Sequence, residues 1–180
     1  MASNYPESLR HVVVCTALDT ARTLGLAAPL IVARKASVPA VRYFELSGMA
    51  AFTGPDLTGI LAVSGTLSFL GHTYPIKDRT LEELRTRDWL GELSNRFVGV
   101  FKSHLVARQK NVQVSLPQVL PLSQVTQTCA TIGAIDTFAF GNDDIGFALH
   151  FCCRLSPTFD LSGPEDPSTL IGGPGAMVVW

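Results

Sequence analysis

Residues 89–99 read WLGELSNRFVG, and the fold prediction begins from this stretch. From Leu90 onward, apolar side chains recur every three or four residues, which is the spacing of the buried face of an α-helix. A helical wheel places the following side chains on one core-facing side: Leu90, Leu93, Phe97, Phe101 and Leu105. The sequence therefore predicts a long amphipathic helix that ends near Ala107. It either begins at the capping-box pattern TLEE of residues 80–83 as one helix or is two pieces, with the long one starting near Thr86.

The opposite face of this helix carries polar residues and a glycine, at roughly 140° to 200° from Leu90 on the wheel: Asp88, Glu92, Asn95 and Gly99. Glu92 and Asn95 are three residues apart and are therefore neighbours on the helix surface. Asparagine is a mediocre helix former, and a glycine in a helix interior costs about 1 kcal/mol relative to alanine. A simple solvated face stays an alternative, but two poor helix formers one turn apart indicate a face that serves another molecule.

The rest of the chain reads as a second helix and several short strands. A helix is predicted from Glu7 to Leu26, β-structure from Leu30 to about Phe69, and a possible helical turn at residues 66–72. Residues 111–116 alternate as a strand, with Val112, Val114 and Leu116 on one face. Segments 128–140 and 145–155 flank the turn sequence GNDD as the two arms of a hairpin. Helices on one side of an antiparallel sheet give an α+β class, here with two helix-plus-antiparallel-strand halves.

Composition limits the classes of function. The chain has 180 residues, a net charge of -1 and a pI near 6.4, which gives no basic footprint for nucleic acid. No stretch approaches the ~20 apolar residues of a membrane span. We predict one domain over residues 1–155 and a proline- and glycine-rich tail over 156–180. The four cysteines form no Cys-x-x-Cys or zinc-type spacing, so we expect buried free thiols, a reducing cytoplasmic location and no metal site.

The quoted helix resembles the signature helix of the CheX/CheC chemotaxis phosphatases, in which Glu-x-x-Asn is followed by an apolar pair and a glycine. The later VSLPQV of residues 114–119 resembles the strand that follows it in that family, where Ser-x-Pro is common. The resemblance covers roughly residues 8–155 and implies a CheC/CheX-like fold. It also implies a phosphatase for the aspartyl phosphate of a CheY-like response-regulator receiver domain.

The resemblance implies roles for single residues. Glu92 matches the glutamate that pairs with the receiver's active-site lysine, and Asn95 matches the asparagine that orients the attacking water. Asp88, Arg96 and Gly99 are then expected on the partner-binding surface. The resemblance also implies that the protein needs no cofactor of its own, because the receiver supplies the Mg²⁺.

Two departures from the family pattern matter. Many members have an apolar residue after the asparagine, where this chain has Arg96. The first helix has no second Glu-x-x-Asn motif. Its most similar segment, from Asp19 to Arg22, does not match the motif, so we expect one site per chain. The resemblance further implies a homodimer formed through sheet edges.

Two other functions stay open at this point. One is a non-catalytic module, similar to the flagellar switch proteins, that binds a receiver or a sheet-edge partner and leaves the phosphate lifetime unchanged. The other is an unrelated α+β dimer whose helix face is merely solvated.

Overall fold

The computed structural model describes residues 5–26, 33–34, 45–76, 83–141 and 145–161. Four helices and seven strands lie in these ranges. In chain order they are α1 (Glu7–Thr23), β1 (Ala33–Arg34), β2 (Leu46–Thr53), β3 (Leu57–Gly65), α2 (Leu67–Thr73), α3 (Glu83–Val106), β4 (Gln113–Val114), β5 (Gln118–Pro121), α4 (Leu122–Ile132), β6 (Asp136–Gly141) and β7 (Gly146–Leu155). None of the described helices combines the length and the hydrophobicity that crossing a membrane requires.

The strands form one antiparallel sheet in the order β1-β6-β7-β3-β2-β4, and β5 also pairs with β2. When β5 is taken as the terminal strand beside β2, exchanging β1, β2 and β3 for β5, β6 and β7 gives the same order read backwards. The helices follow the same relation: the seven buried positions of α1 all fall on buried positions of α3 when 77 is added, from Leu9 on Thr86 to Ala21 on Val98. The predicted α+β fold with two helix-plus-strand halves is therefore confirmed.

Helices α1 and α3 pack on one face of the sheet. Phe52 on β2, Phe101 on α3 and Phe151 on β7 meet at the centre of this core, with ring centroids 5.0 to 5.9 Å apart. Aromatic rings at these separations add to the free energy gained from burial alone. This aromatic cluster ties α3 to both halves of the sheet.

Helix α4 covers the other face, and this corrects two predictions. Helices lie on both sides of the sheet rather than on one, and residues 128–132 are helical rather than part of a strand. Val125 and Cys129 of α4 are buried against Ile60 and Cys152. Threonine is common in strands, which explains the wrong prediction. In α4 the hydroxyls of Thr126, Thr128 and Thr131 instead donate to backbone carbonyls three or four residues earlier.

Other predicted elements differ in extent. Helix α1 ends at Thr23, and residues 111–116 contain only the two-residue strand β4. Leu116, which the sequence pattern groups with Val112 and Val114 on one face of that strand, is 86% exposed, whereas Val112 is buried. The helical turn at 66–72 is confirmed by α2. The turn at 142–144, the first three residues of the capping box and residues 35–44 lie outside the described residues.

The cysteines behave largely as expected. Cys129, Cys152 and Cys153 are buried free thiols, whereas Cys15 is half-buried. Adjacent Cys152 and Cys153 face the two opposite cores. Burial raises the pKa of the Cys153 thiol to about 12.

The chain continues beyond β7 against the domain. Ser156 donates a backbone hydrogen bond to Asp56, and Phe159 and Leu161 pack against the α1–α3 core. The Lys110 ammonium lies 5.5 Å from the centroid of the Phe159 ring. Residues 162–180 lie outside the described residues, so the predicted tail boundary stays a prediction.

Gly48 sets the distance between α3 and the sheet. A Cβ at this position would lie 2.2 Å from the Leu90 carbonyl oxygen and 2.9 Å from the Ser94 Cβ. These atoms belong to α3, and the first is backbone, so no side-chain rotation can relieve the clash. The absence of a side chain on β2 therefore lets α3 lie directly on the strand.

We expect Gly48→Ala to destabilise the protein by about 1–3 kcal/mol, because α3 must shift away from β2. Gly99→Ala is the matched control, since a Cβ there meets nothing within 4 Å. Alanine in that exposed helix position should stabilise by about 0.5–1 kcal/mol. Urea denaturation measures both. Equal effects of the two substitutions would contradict the assigned role of Gly48.

His150 is 6% exposed, and its ring nitrogens contact Ser64 Oγ at 2.8 Å and Thr137 Oγ1 at 3.1 Å. Burial lowers the pKa of His150 from 6.5 to about 4. Between these values the unfolded chain binds a proton that the folded chain does not, so stability falls as pH falls through this window.

We expect the wild-type protein to lose about 2 kcal/mol of stability from pH 8 to pH 5 through this histidine. His150→Gln should be less stable at pH 8 and should lack this part of the pH dependence. Urea denaturation at both pH values measures the difference. An unchanged slope against pH in the variant would show that His150 is not the titrating group.

Candidate functional site

The structure confirms the prediction of which side of α3 is buried and which is exposed. All five core-facing residues, Leu90 to Leu105 on the wheel, are fully or almost fully buried. Asp88, Glu92, Asn95 and Gly99 are exposed. The helix is fixed by its buried face, so its outward stripe is presented on a rigid element.

An open groove of about 410 Å³ runs along this stripe, between α3 and the edge of the sheet. It brings together three of the predicted site residues, Asp88, Glu92 and Asn95. The remaining lining residues are Arg87, Gly91, Pro117 and Val119. Gly99 lies about one helical turn beyond Asn95, where a side chain would meet open space.

A β-bulge forms the far wall of the groove. Val114 pairs with Phe52 and Gln118 pairs with Met49, so three residues, 115–117, lie opposite two residues of β2. The Ser115 hydroxyl accepts a hydrogen bond from the Ala51 N–H at 3.0 Å. A bulge bends an edge strand and redirects its side chains. This one places Pro117 in the groove lining and Leu116 in solvent.

Arg87 links the two walls. Its Nη2 donates to the Val119 carbonyl of β5 at 2.9 Å. Gly91 faces the same strand, and a Cβ there would make an ordinary 3.7 Å contact with Val119. The helix and the edge strand are therefore held together at the groove, and Gly91 leaves space between them.

Glu92 and Arg96 form an ion pair on the helix surface. Arg96 Nε donates to Glu92 Oε1 at 3.0 Å, and the two side chains are 38% and 47% exposed respectively. The Arg96 guanidinium also lies over the ring of Trp89, 5.2 Å from its centroid. Arg96 therefore borders the groove through Glu92 rather than lining it.

Asn95 presents an uncommitted amide. The side chain is exposed, and none of the described residues hydrogen-bonds to it. A carboxamide can donate two hydrogen bonds and accept two. Asn95 can therefore hold a water molecule or a polar group that another molecule brings into the groove.

The first helix offers no second site. Under the 77-residue shift, Cys15 and Leu18 occupy the positions of Glu92 and Asn95. Asp19, which corresponds to Arg96, pairs with Arg22 at 2.9 Å and with His104 of α3 at 3.0 Å. The described part of the chain thus contains one exposed Glu-x-x-Asn pair.

Metal ligands do not cluster in the described residues. No group of three His, Cys, Asp or Glu side chains converges there in a way that could hold an ion. The groove itself contributes two carboxylates, Asp88 and Glu92, on neighbouring turns of α3.

Sequence reasoning missed the far wall of the groove. Pro117 and Val119 of that wall, and Arg87 and Gly91 of α3, line the groove but are not among the predicted site residues, although the Ser-x-Pro segment belongs to the resemblance. A proline in an edge strand is a known sign of a bulge. The proline therefore indicates a bulge, but it does not indicate that α3 lies on the other side of the groove.

Comparisons with solved structures identify the fold. CheX from Vibrio vulnificus matches with a TM-score of 0.60 and 13% identity, over 81% of this chain and 99% of that chain. A putative chemotaxis protein from Desulfovibrio vulgaris Hildenborough matches with a TM-score of 0.55 and 19% identity, over 85% of this chain and 100% of that one. A chain of the CheX–CheY–BeF3–Mg²⁺ complex from Borrelia burgdorferi matches with a TM-score of 0.58 and 12% identity, over 80% and 96%.

No protein-family model and no curated protein matches this sequence. The structural similarity at low identity establishes the fold, and the predicted CheC/CheX-like fold is confirmed.

Proposed function

We propose that this protein is a phosphatase that accelerates hydrolysis of the aspartyl phosphate on a CheY-like receiver domain, with Glu92 and Asn95 as the residues that act on it. The observation that carries the proposal is the pair itself. Both side chains are exposed side by side on a rigid helix, and both line an open groove. The fold supports it, since one of the similar structures is a complex of CheX with CheY.

The chemistry of an aspartyl phosphate needs a correctly placed water. Hydrolysis proceeds by attack in line with the bond that breaks, so the orientation of the water limits the rate. In this proposal the Asn95 amide enters the receiver's active site and holds the attacking water by donating and accepting hydrogen bonds. The Glu92 carboxylate pairs with the receiver's lysine and thereby fixes the register of the two proteins.

The magnesium ion is expected to come with the receiver, bound beside its aspartyl phosphate. The phosphatase then contributes positioning alone, as the water-orienting glutamine does in signalling GTPases. No cofactor of the phosphatase itself is required by this chemistry.

The surface around the pair suits a protein partner. Arg87, Asp88, Glu92 and Arg96 place charges of both signs around the groove. Charges at an interface rim favour the rate and specificity of encounter more than affinity. Gly99 leaves space beside Asn95 for the partner's backbone to approach closely. The homodimer and the cytoplasmic location implied by the resemblance stay predictions.

We expect Asn95→Ala to lower the catalysed rate of receiver dephosphorylation by on the order of 10²–10³, the loss typical of one preorganised donor. Asn111→Ala is the matched control, because Asn111 is exposed and lies outside the groove lining. Loss of phosphate from phosphorylated receivers of the same genome measures the rate, and urea denaturation verifies that both variants fold.

Near-normal activity of the Asn95→Ala variant would contradict the proposal. If the wild-type protein binds a receiver but leaves its phosphate lifetime unchanged, the non-catalytic binding module is the correct function.

We expect Leu116→Ser to weaken receiver binding about 3- to 10-fold without a loss of stability, because a large apolar side chain beside the groove gains by burial in an interface. Leu67→Ser is the control, since Leu67 is also exposed, at 60%, but has no groove-lining residue beside it in the chain, whereas Leu116 adjoins Pro117. Calorimetry or surface plasmon resonance measures the affinity. Equal affinities of the two variants would show that the bulge lies outside the interface.

A further inference from the structure

The ion pair between Glu92 and Arg96 has a favourable geometry. Glutamate four residues before a basic residue is the better order on a helix. The contact is made by Arg96 Nε to a single oxygen, Glu92 Oε1, at 3.0 Å. Both side chains are well exposed, so this contact alone is too weak to hold either of them in place.

Trp89 supplies a second, rigid contact for Arg96. The Trp89 ring is 5% exposed and lies beneath the guanidinium, whose Cζ is 5.2 Å from the ring centroid. Trp89 Nε1 donates to Thr73 Oγ1 at 3.1 Å, and the Tyr74 ring meets Trp89 edge-on at 5.9 Å. Arginine stacks well on an aromatic face, so Arg96 is anchored by a ring that cannot move freely.

Glu92 keeps one oxygen available. Within the described residues, Oε2 accepts no hydrogen bond, while Oε1 is taken by Arg96. A carboxylate has lone pairs for several donors. Glu92 can therefore stay bound to Arg96 and still accept from a second cation that enters the groove.

We propose that Arg96 is a positioning residue for Glu92. It orders the carboxylate before the receiver binds, so that the receiver's lysine meets an acceptor that is already in place. This inference rests on the proposed function, and it assigns Arg96 an effect through Glu92 rather than a direct contact with the partner. We call the following series of contacts the relay: Thr73 to Trp89, Trp89 to Arg96, and Arg96 to Glu92.

The expected size follows from the entropy of one side chain. Ordering a long side chain on binding costs a factor of about 2 to 10 in affinity. Arg96→Met removes the ion pair and keeps a helix-forming side chain of similar length. It should therefore raise KM for the phosphorylated receiver about 3- to 10-fold and change kcat less than twofold. Arg96→Lys keeps the charge but loses the planar group, so its KM should lie between the two.

A double-mutant cycle with Glu92→Gln tests the relay. Steady-state dephosphorylation is measured over a range of receiver concentrations for the wild type, the two single variants and the double variant. If Arg96 acts through Glu92, Arg96→Met has no further effect on KM in the Glu92→Gln background. The unfolding midpoint in urea should be the same for Arg96→Met and the wild type.

Three results would overturn the inference. An equal rise in KM in both backgrounds would show that Arg96 contacts the receiver directly. A lower KM for Arg96→Met would show that Arg96 competes with the receiver's lysine, and an unchanged KM would show an inert surface pair. A wild-type protein that does not accelerate phosphate loss would contradict the proposed function and this inference together. The other three results require an active wild-type protein, so the two kinds of failure can be told apart.

Discussion

The contact between Gly48 and the backbone of α3 is the constraint on which the site depends. The Leu90 carbonyl occupies the space that any other residue's Cβ would need, so the helix lies as close to β2 as two backbones allow. Leu90, Phe97 and Phe101 then fix its rotation. Glu92 is therefore placed by a core and not by a loop. A site with the proposed role of positioning a water molecule gains most from such a support.

One of the two walls of the candidate site could be predicted in part from the sequence because it lies on one helix. The period of apolar residues fixes which way each side chain of α3 points, and Glu92 and Asn95 follow from that local rule. The other wall depends on how strands that are far apart in the chain pair with each other. Pro117 reaches the groove only because β4 and β5 pair with β2 in registers that differ by one residue. A sequence pattern does not contain that register.

The same distinction explains the errors in the fold prediction. Helix α3 has one buried face, so its period is clear, but β3 and β7 are buried on both faces at the centre of the sheet. Strands of that kind read as near-continuous apolar runs, and periodicity alone does not distinguish such a run from another buried segment. The second layer was missed for this reason, and with it α4, whose threonines favour the strand interpretation. Val125 and Cys129, four residues apart, are the part of its pattern that indicates a helix.

The two halves share a scaffold but use equivalent helix faces differently. Asp19 and Arg96 occupy corresponding positions on α1 and α3. Asp19 reaches across to His104 and so braces the two helices against each other. Arg96 instead bonds within its own helix, donating to Glu92. Asp19 is thereby engaged within the fold, whereas Glu92 and Asn95 remain exposed together on the outward face of α3.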